Sequence, residues 1–400
     1  MTFEVLLIGF GDEVLGAATE DARARHLRYA DGVDHLHMIV WGQQGGSTEP
    51  VLLSPKLTVY PVGRGNRLAY MREALRAGEM IIRSNSIQVI STQDPFYTAA
   101  IGLRLRRLGR RARRAQRVQV QNHSDFFDNA LWLAERPLWN GLLNVFGKWA
   151  IRRADHLRVV STTERQKYLT LGVPAERVDV LPVPVDLAAF ERPVAETRLA
   201  AIRERWRLEP GAPVLFWAGR PVPFKDLGTL LRAAAIIRRE QTGARFIFAG
   251  DFSCAPQWPK LAAELGLTEA VRFVGPVGRD ELPDYFALCS VYLHSSMYEG
   301  FGRVMVEAAA AGRAIVATRT AGAMDVVRDG ETGLLCPPRD PDSFASAVVE
   351  LLADPARARR IGAAARVWVE TQFDPEQLSE RIVAAWRKCA GAMNNETMRQ

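Results

Sequence analysis

The sequence predicts an α/β protein made of two domains, each with a mostly parallel β-sheet. Three observations predict this fold class. Short apolar runs alternate with helix-forming segments in two successive series along the 400 residues. A proline-punctuated stretch at residues 182–186 separates the two series, so we place the domain boundary between residues 185 and 186. Hydrophobic residues make up 48% of the chain, which suits two or three domains with full cores and argues against disorder.

The first domain, residues 1–185, opens on a strand, a glycine-containing turn and a helix. Its β-type apolar runs predict strands at residues 3–9, 35–41, 57–60, 88–91, 117–121, 156–160 and 178–181. Helical patterns lie at residues 19–30, 67–83, 96–108, 129–153 and 164–171, and the fourth is broken near Pro137.

The second domain, residues 186–375, repeats the alternation. We predict its strands at residues 213–218, 245–249, 271–274, 291–293, 314–318 and 333–336. Its helices are predicted at residues 227–239, 258–265, 282–288, 303–311, 321–327, 343–352 and 355–373. A final amphipathic helix, residues 376–390, is expected to pack back on the first domain.

Composition excludes several classes of protein. Mean hydropathy is −0.08 and no run approaches the length of an apolar membrane span, so no transmembrane helix is predicted. The opening MTFEVLLIGF reads as a first strand rather than a signal peptide, and we expect a cytoplasmic protein. The 4 cysteines are widely spaced without a CxxC pair, which favours free thiols over disulfides or a zinc site.

A basic run carries much of the net charge of +7. It begins at Arg104, ends at Arg117 and holds eight arginines. An anionic membrane, nucleic acid, a phosphorylated acceptor or plain solvation could each account for it. Apolar residues in or beside the run favour a membrane-interfacial surface, which would place the protein peripherally on the inner face of the membrane: Ile101, Leu103, Leu105 and Leu108. No nucleic-acid-binding motif accompanies the run, so no nucleic-acid partner is predicted.

Residues 289–312 combine a buried strand, a glycine-bearing turn and an alanine-rich helix. Glu299 precedes the helix and Glu307 lies inside it, a little over two turns later, so both carboxylates can face the same end of the helix. Gly300 and Gly302 leave backbone amides bare at a helix N-terminus, where phosphate binds well. The pattern suits a nucleotide sugar, although two glutamates at this spacing and a glycine turn also occur together by chance.

Two cations follow the first strand of the second domain. Arg220 and Lys225 can neutralise a diphosphate and stabilise it as a leaving group, or they can be two solvated loop cations. A third feature, Asp340-Pro341-Asp342, has the form of a metal-binding DxD motif but stands where a helix begins. We therefore interpret it as a helix cap and predict no essential metal and no other cofactor.

Taken together, these residues resemble a known family. The stretches WAGRPVPFKDLGTLLRAA, FIFAGD and YEGFGRVMVEAAAAG closely resemble the retaining GT-B glycosyltransferases of the family 4 type, whose E-x7-E motif matches Glu299 and Glu307. The resemblance is strong over residues 212–352 and weaker over residues 123–186. It implies two Rossmann-like α/β domains that face each other across a cleft, with the acceptor on the first and the nucleotide sugar on the second.

The resemblance also assigns roles to residues of the second domain. It implies that Glu299 contacts the hydroxyls of the donor sugar and that Glu307 holds the ribose hydroxyls. It places Arg220 and Lys225 on the diphosphate. The remaining donor contacts that it implies are backbone contacts to sugar or phosphate and contacts to the base: Gly300, Phe301 and Gly302 for the former, Gly275 and Val277 for the latter.

In the first domain, the resemblance implies that His123 reaches the sugar and that Gly16 approaches the phosphates. A structural histidine is the alternative for His123. Around Gly16 the chain departs from the family, because Leu15-Gly16-Ala17-Ala18 replaces the usual pair of adjacent glycines. Glu299, His123, Arg220 and Lys225 are therefore the predicted catalytic residues.

The implied activity is the transfer of a hexose from a nucleotide-diphosphate sugar to a hydroxyl of a glycan or lipid-linked saccharide, with retention of configuration. The sequence offers no well-placed nucleophile, which favours a front-face path. Cell-surface polysaccharide or glycolipid synthesis is the expected setting, and UDP and GDP sugars both remain open as donors. The alternatives are a nucleotide-sugar epimerase or phosphorylase-like enzyme of the same fold and a non-catalytic nucleotide-sugar-binding protein.

Overall fold

A computed structural model describes residues 2–11, 13–15, 20–42, 48–63, 65–111 and 116–391. The chain divides into two compact units. The first unit comprises Met1–Pro184 together with the segment that begins at Pro375, and the second comprises Val185–Asp374. Each unit has its own mostly parallel sheet, so the predicted α/β fold class is confirmed.

The described part of the first unit contains an eight-stranded sheet in the order β3-β4-β2-β1-β5-β6-β7-β8. Its strands are β1 Glu4–Ile8, β2 His35–Trp41, β3 Val51–Ser54, β4 Leu57–Val62, β5 Ile87–Thr92, β6 Arg117–Asn122, β7 His156–Val159 and β8 Val178–Val180. Its helices are α1 Glu20–Asp31, α2 Arg67–Ser84, α3 Tyr97–Arg111, α4 Ala130–Glu135, α5 Pro137–Arg153 and α6 Thr162–Thr170. Edge strand β3, which pairs antiparallel to β4, was not among the predicted strands.

The second unit has a six-stranded parallel sheet within its described residues, in the order β11-β10-β9-β12-β13-β14. The strands are β9 Val214–Ala218, β10 Arg245–Ala249, β11 Val271–Gly275, β12 Val291–His294, β13 Ala314–Thr318 and β14 Leu334–Cys336. The helices are α7 Ala188–Glu191, α8 Glu196–Arg205, α9 Leu227–Glu240, α10 Gln257–Glu264, α11 Leu282–Leu288, α12 Arg303–Ala310, α13 Ala321–Val326, α14 Pro341–Ala353 and α15 Pro355–Gln372. Sequence order reverses between β9 and β12, and open α/β sheets bind ligands at such a point.

The apolar runs that predicted the strands are buried because helices cover both faces of each sheet. In β9, for example, Leu215, Phe216 and Trp217 are all buried. Helix α9 contributes Leu227, Leu230 and Leu231 to the core cluster that contains Leu215 and Trp217.

Helix α16, Pro375–Ala390, returns to the first unit, where it packs on α1, β5 and β6. The indole Nε1 of buried Trp386 donates to Gln119 Oε1 at 2.9 Å and lies 3.2 Å from Ser91 Oγ. At the end of the helix, Lys388 Nζ pairs with Asp179 Oδ1 at 2.9 Å. The terminal segment therefore completes the core of the first unit.

Replacing Trp386 with phenylalanine is expected to lower the free energy of unfolding of the first unit by about 2 kcal/mol, because buried Gln119 loses a hydrogen-bond donor and a small cavity opens. Thermal denaturation of the full chain measures the effect as a lower Tm. The matched control is Trp149→Phe, since Trp149 is exposed. Equal Tm values for the two variants would contradict this account of α16.

The predicted interfacial surface on α3 is wrong for its apolar residues. Ile101, Leu103 and Leu105 are buried and Leu108 is half-buried, because α3 packs on α2, α5, β5 and β6 of the first unit. Two arginines of the run, Arg106 and Arg117, both pair with the carboxylate of Asp155, at 2.7 and 2.9 Å. Residues 112–115 of the run lie outside the described residues. No helix in the described ranges is both long and apolar enough to span a membrane.

Candidate functional site

The loops that follow β9 and β12 lie at the same edge of the second sheet, because the two strands are parallel neighbours. The first loop carries Arg220 and Lys225, and the second carries Glu299. Direct contacts join the loops. Ser295 Oγ donates to the carbonyl of Lys225 at 2.8 Å, and the Met297 amide donates to the carbonyl of Phe224 at 2.7 Å. The structure thus brings together residues that are more than seventy positions apart in sequence.

Aromatic packing fixes the first loop further. The ring of Phe224 stacks on that of Tyr298, with centroids 4.8 Å apart. Asp226 then turns the chain with a φ of 47° and caps α9, its Oδ1 accepting from the Thr229 amide at 3.2 Å. Lys225 is consequently held at one place between a stacked ring and a helix cap.

The centre of the site is an ion pair between Lys225 Nζ and Glu299 Oε2. His294 Nε2 lies 3.4 Å from the same carboxylate oxygen. Burial alone would raise the pKa of Glu299, but the hydrogen bond with His294 and the charge of Lys225 outweigh it and lower the pKa to about 2. Glu299 is therefore a fixed carboxylate at neutral pH.

His294 is a residue of the site that sequence reasoning missed. It is the last residue of β12 and is buried, and burial lowers its pKa, so the imidazole is neutral at pH 7. Its Nε2 is also 3.1 Å from Ser296 Oγ. A neutral ring that faces a carboxylate orients that carboxylate without adding charge.

The turn between β12 and α12 depends on two glycines. Gly302 has a φ of 79° and caps the N-terminus of α12. Gly322, in α13, lies against the turn: a Cβ there would stand 2.5 Å from the Phe301 backbone nitrogen. Its amide donates to the carbonyl of Glu299 at 2.9 Å. Gly322 therefore anchors the turn, although no sequence motif had singled it out.

Glu307 lies on α12 and is buried. Its Oε1 is 4.0 Å from Arg303 Nη2, one helical turn earlier. Burial and then the charges of Glu307 and Glu299 raise the pKa of Tyr292, so both carboxylates act on the same buried phenol of β12. Glu299, before the helix, and Glu307, inside it, are thus both close enough to Tyr292 to act on its charge.

The other predicted donor residues of the second unit are placed less tightly. Arg220 is exposed, and its carbonyl accepts from the Val222 amide at 2.8 Å. Gly275 ends edge strand β11 with a φ of 77°, and its carbonyl accepts from the Gly250 amide at 2.8 Å. Val277 follows in the same loop. Strand β10 separates β11 from β9, so this loop lies farther along the edge of the sheet than the loop of Lys225.

In the first unit, His123 follows the carboxyl end of β6. Its Nε2 lies 3.0 Å from Gln121 Oε1, which also accepts from Arg158 Nη1 at 3.0 Å. Burial and the charges of Arg158 and Arg25 lower the pKa of His123 to about 3, so the ring is neutral. Its Nδ1 has no hydrogen-bond partner among the described residues. Gly16 lies outside those residues.

Asp340 caps α14, as the sequence predicted. Its Oδ1 accepts from the Ser343 amide at 2.9 Å and its Oδ2 accepts from the Ser343 hydroxyl at 2.6 Å, with Pro341 in the first turn. The first aspartate of the DxD pattern therefore serves as the N-cap of α14.

Comparison with known proteins identifies two matching family models. Glycosyl transferases group 1 matches residues 200–368, and Glycosyltransferase Family 4 matches residues 25–189. A GDP-mannose-dependent alpha-(1-6)-phosphatidylinositol monomannoside mannosyltransferase from Mycobacterium tuberculosis (strain CDC 1551 / Oshkosh) is 35% identical over 235 residues, 57% of this chain. That match spans only 60% of the relative's own length.

A longer match and a solved structure extend the comparison. The relative of the same name from Mycolicibacterium smegmatis (strain ATCC 700084 / mc(2)155) is 30% identical over 342 residues, 78% of this chain and 85% of the relative. Sucrose-phosphate synthase from Thermosynechococcus elongatus superposes with a TM-score of 0.82, covering 97% of this chain and 99% of that one at 23% identity. The structural likeness shows a shared fold.

Proposed function

This chain belongs to the family 4 glycosyltransferases of the GT-B fold, and we propose that it transfers a hexose from a nucleotide-diphosphate sugar to a hydroxyl of a glycan or lipid-linked saccharide with retention of configuration. The observation that carries the proposal is the ionised Glu299, which Lys225 and His294 hold at the switch point of the second sheet. A fixed carboxylate at that position suits sugar hydroxyls, and a lysine beside it suits a diphosphate.

The proposal extends to the roles that the family resemblance implies for the donor residues. Glu299 accepts hydrogen bonds from hydroxyls of the transferred sugar, and Glu307 accepts those of the ribose. Arg220 and Lys225 carry the diphosphate, and the bare amides of the turn at residues 300–302 approach the sugar or its phosphate. Gly275 and Val277 lie against the base. His123 and Gly16 serve the donor from the first unit.

Retention follows a front-face path in this proposal. The bond between the anomeric carbon and the diphosphate oxygen breaks while the acceptor oxygen bonds to the same face of that carbon. The departing diphosphate oxygen takes the acceptor proton, so no protein nucleophile is needed. Arg220 and Lys225 stabilise the negative charge that develops on the leaving group, which is the largest contribution that the chain's own residues make.

The donor and the acceptor are proposed from the relatives' names. Because those relatives are named as GDP-mannose-dependent enzymes acting on a phosphatidylinositol mannoside, GDP-mannose and a lipid-linked acceptor are the first to test. Thermal denaturation with GDP, UDP and ADP ranks the bases, since a nucleotide at 100 times its Kd stabilises by about 2.7 kcal/mol. The largest Tm increase is expected with GDP.

Release of nucleotide separates transfer from its alternatives. We expect GDP to appear only when both GDP-mannose and an acceptor are present. Equal release without any acceptor would contradict transfer to a saccharide. Tight binding of GDP-mannose without turnover for any acceptor would identify a binding protein instead.

Transfer is expected to continue at an unchanged rate in excess chelator. Arg220 and Lys225 supply two positive charges at the diphosphate, which is the task that a divalent ion performs in other phosphoryl and glycosyl transfer sites. The measurement compares initial rates with and without EDTA. Loss of transfer that added Mg²⁺ or Mn²⁺ restores would show that a metal is required.

A location on the inner face of the membrane is part of the proposal, because a lipid-linked acceptor would lie in the bilayer. Ile101, Leu103 and Leu105 of the basic run do not support this location, because they are buried. Another surface of the first unit provides support instead.

A further inference from the structure

Helix α5 reverses the usual pattern of an amphipathic helix. Leu138, Leu142 and Val145 are 88%, 67% and 70% exposed, and Trp149 continues the same stripe. Their spacing of four, three and four residues places them on one face. The opposite face, which packs into the first unit, is partly polar: Asn140 and Asn144 are buried there. Solvation alone does not account for a helix that exposes leucines and buries asparagines.

The buried asparagines are satisfied, so the orientation of the helix is specified. Asn140 Nδ2 donates to the carbonyl of Trp132 at 2.6 Å, and Asn144 Nδ2 donates to Asp128 Oδ1 at 3.0 Å. Rotating α5 to bury its leucines would break both contacts. The apolar stripe is therefore a fixed outward surface of the molecule.

The charges on α5 are all positive. Its 17 residues, PLWNGLLNVFGKWAIRR, contain one lysine and two arginines and no acidic residue. Lys148 pairs with Asp128 at 2.5 Å, whereas Arg152 and Arg153 are exposed at the end of the stripe. The guanidinium of Arg153 lies over the ring of Trp149, 4.4 Å from its centroid. Exposed tryptophan beside arginine is characteristic of the interface between a bilayer and water.

The same two arginines also line a cavity of about 580 Å³. Four further cations line it, namely Arg106, Arg117, Arg177 and Lys388. Asp155 and Glu176 are the carboxylates among its lining residues, so positive charge predominates. A basic cavity thus adjoins the C-terminal end of an exposed apolar stripe.

We propose that the stripe of α5 and the adjoining basic cavity form a surface that binds an anionic lipid bilayer. The leucines, Val145 and Trp149 enter the boundary between headgroups and acyl chains, and the cavity receives anionic headgroups. Apolar side chains for the bilayer and arginines for its charge lie together on one helix, which favours a lipid surface over a protein partner. The surface does not depend on the assignment of glycosyl transfer.

The test is sedimentation of the full chain with vesicles of phosphatidylcholine alone and of equal parts phosphatidylcholine and phosphatidylglycerol. We expect binding to the second kind of vesicle that weakens as salt is added. The double variant Arg152→Ala/Arg153→Ala should bind about tenfold more weakly, since each cation near an anionic surface contributes to partitioning. Arg359→Ala/Arg360→Ala is the matched control, an exposed adjacent pair on α15 that should bind as the original chain does.

A second pair of variants tests the apolar stripe. Val145→Asp is expected to abolish most vesicle binding, whereas Val367→Asp, at a valine that is 63% exposed on α15, should have no effect. Equal binding to both kinds of vesicle, or normal binding by both stripe and arginine variants, would overturn the proposal. The proposal would also be overturned if Val145→Asp still bound vesicles but changed the sedimentation coefficient of the chain without vesicles. The stripe would then be a contact with a second copy of the chain. The assay contains no sugar nucleotide, so its failure would leave the proposed transfer untouched.

Discussion

Replacing Lys225 with methionine is expected to lower kcat by about 10²–10³-fold, the usual effect of removing one group that stabilises charge in a transition state. The lysine has two tasks in the account: it carries the diphosphate and it pairs with Glu299. Initial rates at saturating donor measure the first task. Lys260→Met is the matched control, because Lys260 is a solvent-exposed lysine of the same unit.

The second task has its own readout in the pH profile. Glu299 has a pKa of about 2 in the intact site, so its protonation does not limit activity at mildly acidic pH. Removal of the neighbouring positive charge favours the neutral carboxyl and raises the pKa of Glu299. The acidic limb of the rate profile of Lys225→Met should therefore move to higher pH. If Lys225→Met left both the acidic limb of the pH–rate profile and kcat unchanged, both roles assigned to Lys225 would be contradicted.

Replacing Glu307 with glutamine is expected to weaken nucleotide binding by about 10- to 100-fold, since hydrogen bonds to a charged group contribute about 1.5–3 kcal/mol. The amide keeps the volume of the buried side chain, so packing on β12 is preserved. Titration calorimetry with GDP, which has no transferred sugar, isolates this contact. Glu299→Gln is the contrasting variant: it should bind GDP normally and lose transfer. Normal GDP binding and normal transfer in both variants would contradict the assignment of the two glutamates.

The elements of the site could be predicted from sequence because their signals are local. Apolar runs indicate parallel strands, and charged loops at the ends of such strands meet at one edge. The pairing of Lys225 with Glu299 was not predicted, because it depends on β9 and β12 being neighbours. Strand order results from long-range packing, which no single segment encodes.

Residues that position other residues of the site were harder to predict from the sequence. His294 ends the apolar strand VYLH, and only its contact with Glu299 distinguishes it from a core histidine. Gly322 matters because the Phe301 backbone passes close to it, which is a property of the folded chain. A histidine that ends a strand and a glycine in the first turn of a helix are weak signals, although both stand close to the site in sequence.

The surface of the first unit shows how composition can mislead. The arginine run drew attention to Leu105, but its spacing of four residues from Ile101 predicts a core-facing stripe, and the structure buries both residues. The same spacing rule, applied to α5, would have identified its apolar stripe, because the asparagines and the leucines fall on opposite sides of the helix. Periodicity was the better guide in both helices.

The anomeric configuration of the product tests the central claim most directly. With GDP-α-mannose as donor and a saccharide acceptor, proton and carbon NMR of the new linkage should show an α-mannoside, as a front-face transfer at the site of Glu299 and Lys225 requires. A β-mannoside would mean that the acceptor attacks from the face opposite the diphosphate, and it would contradict the account.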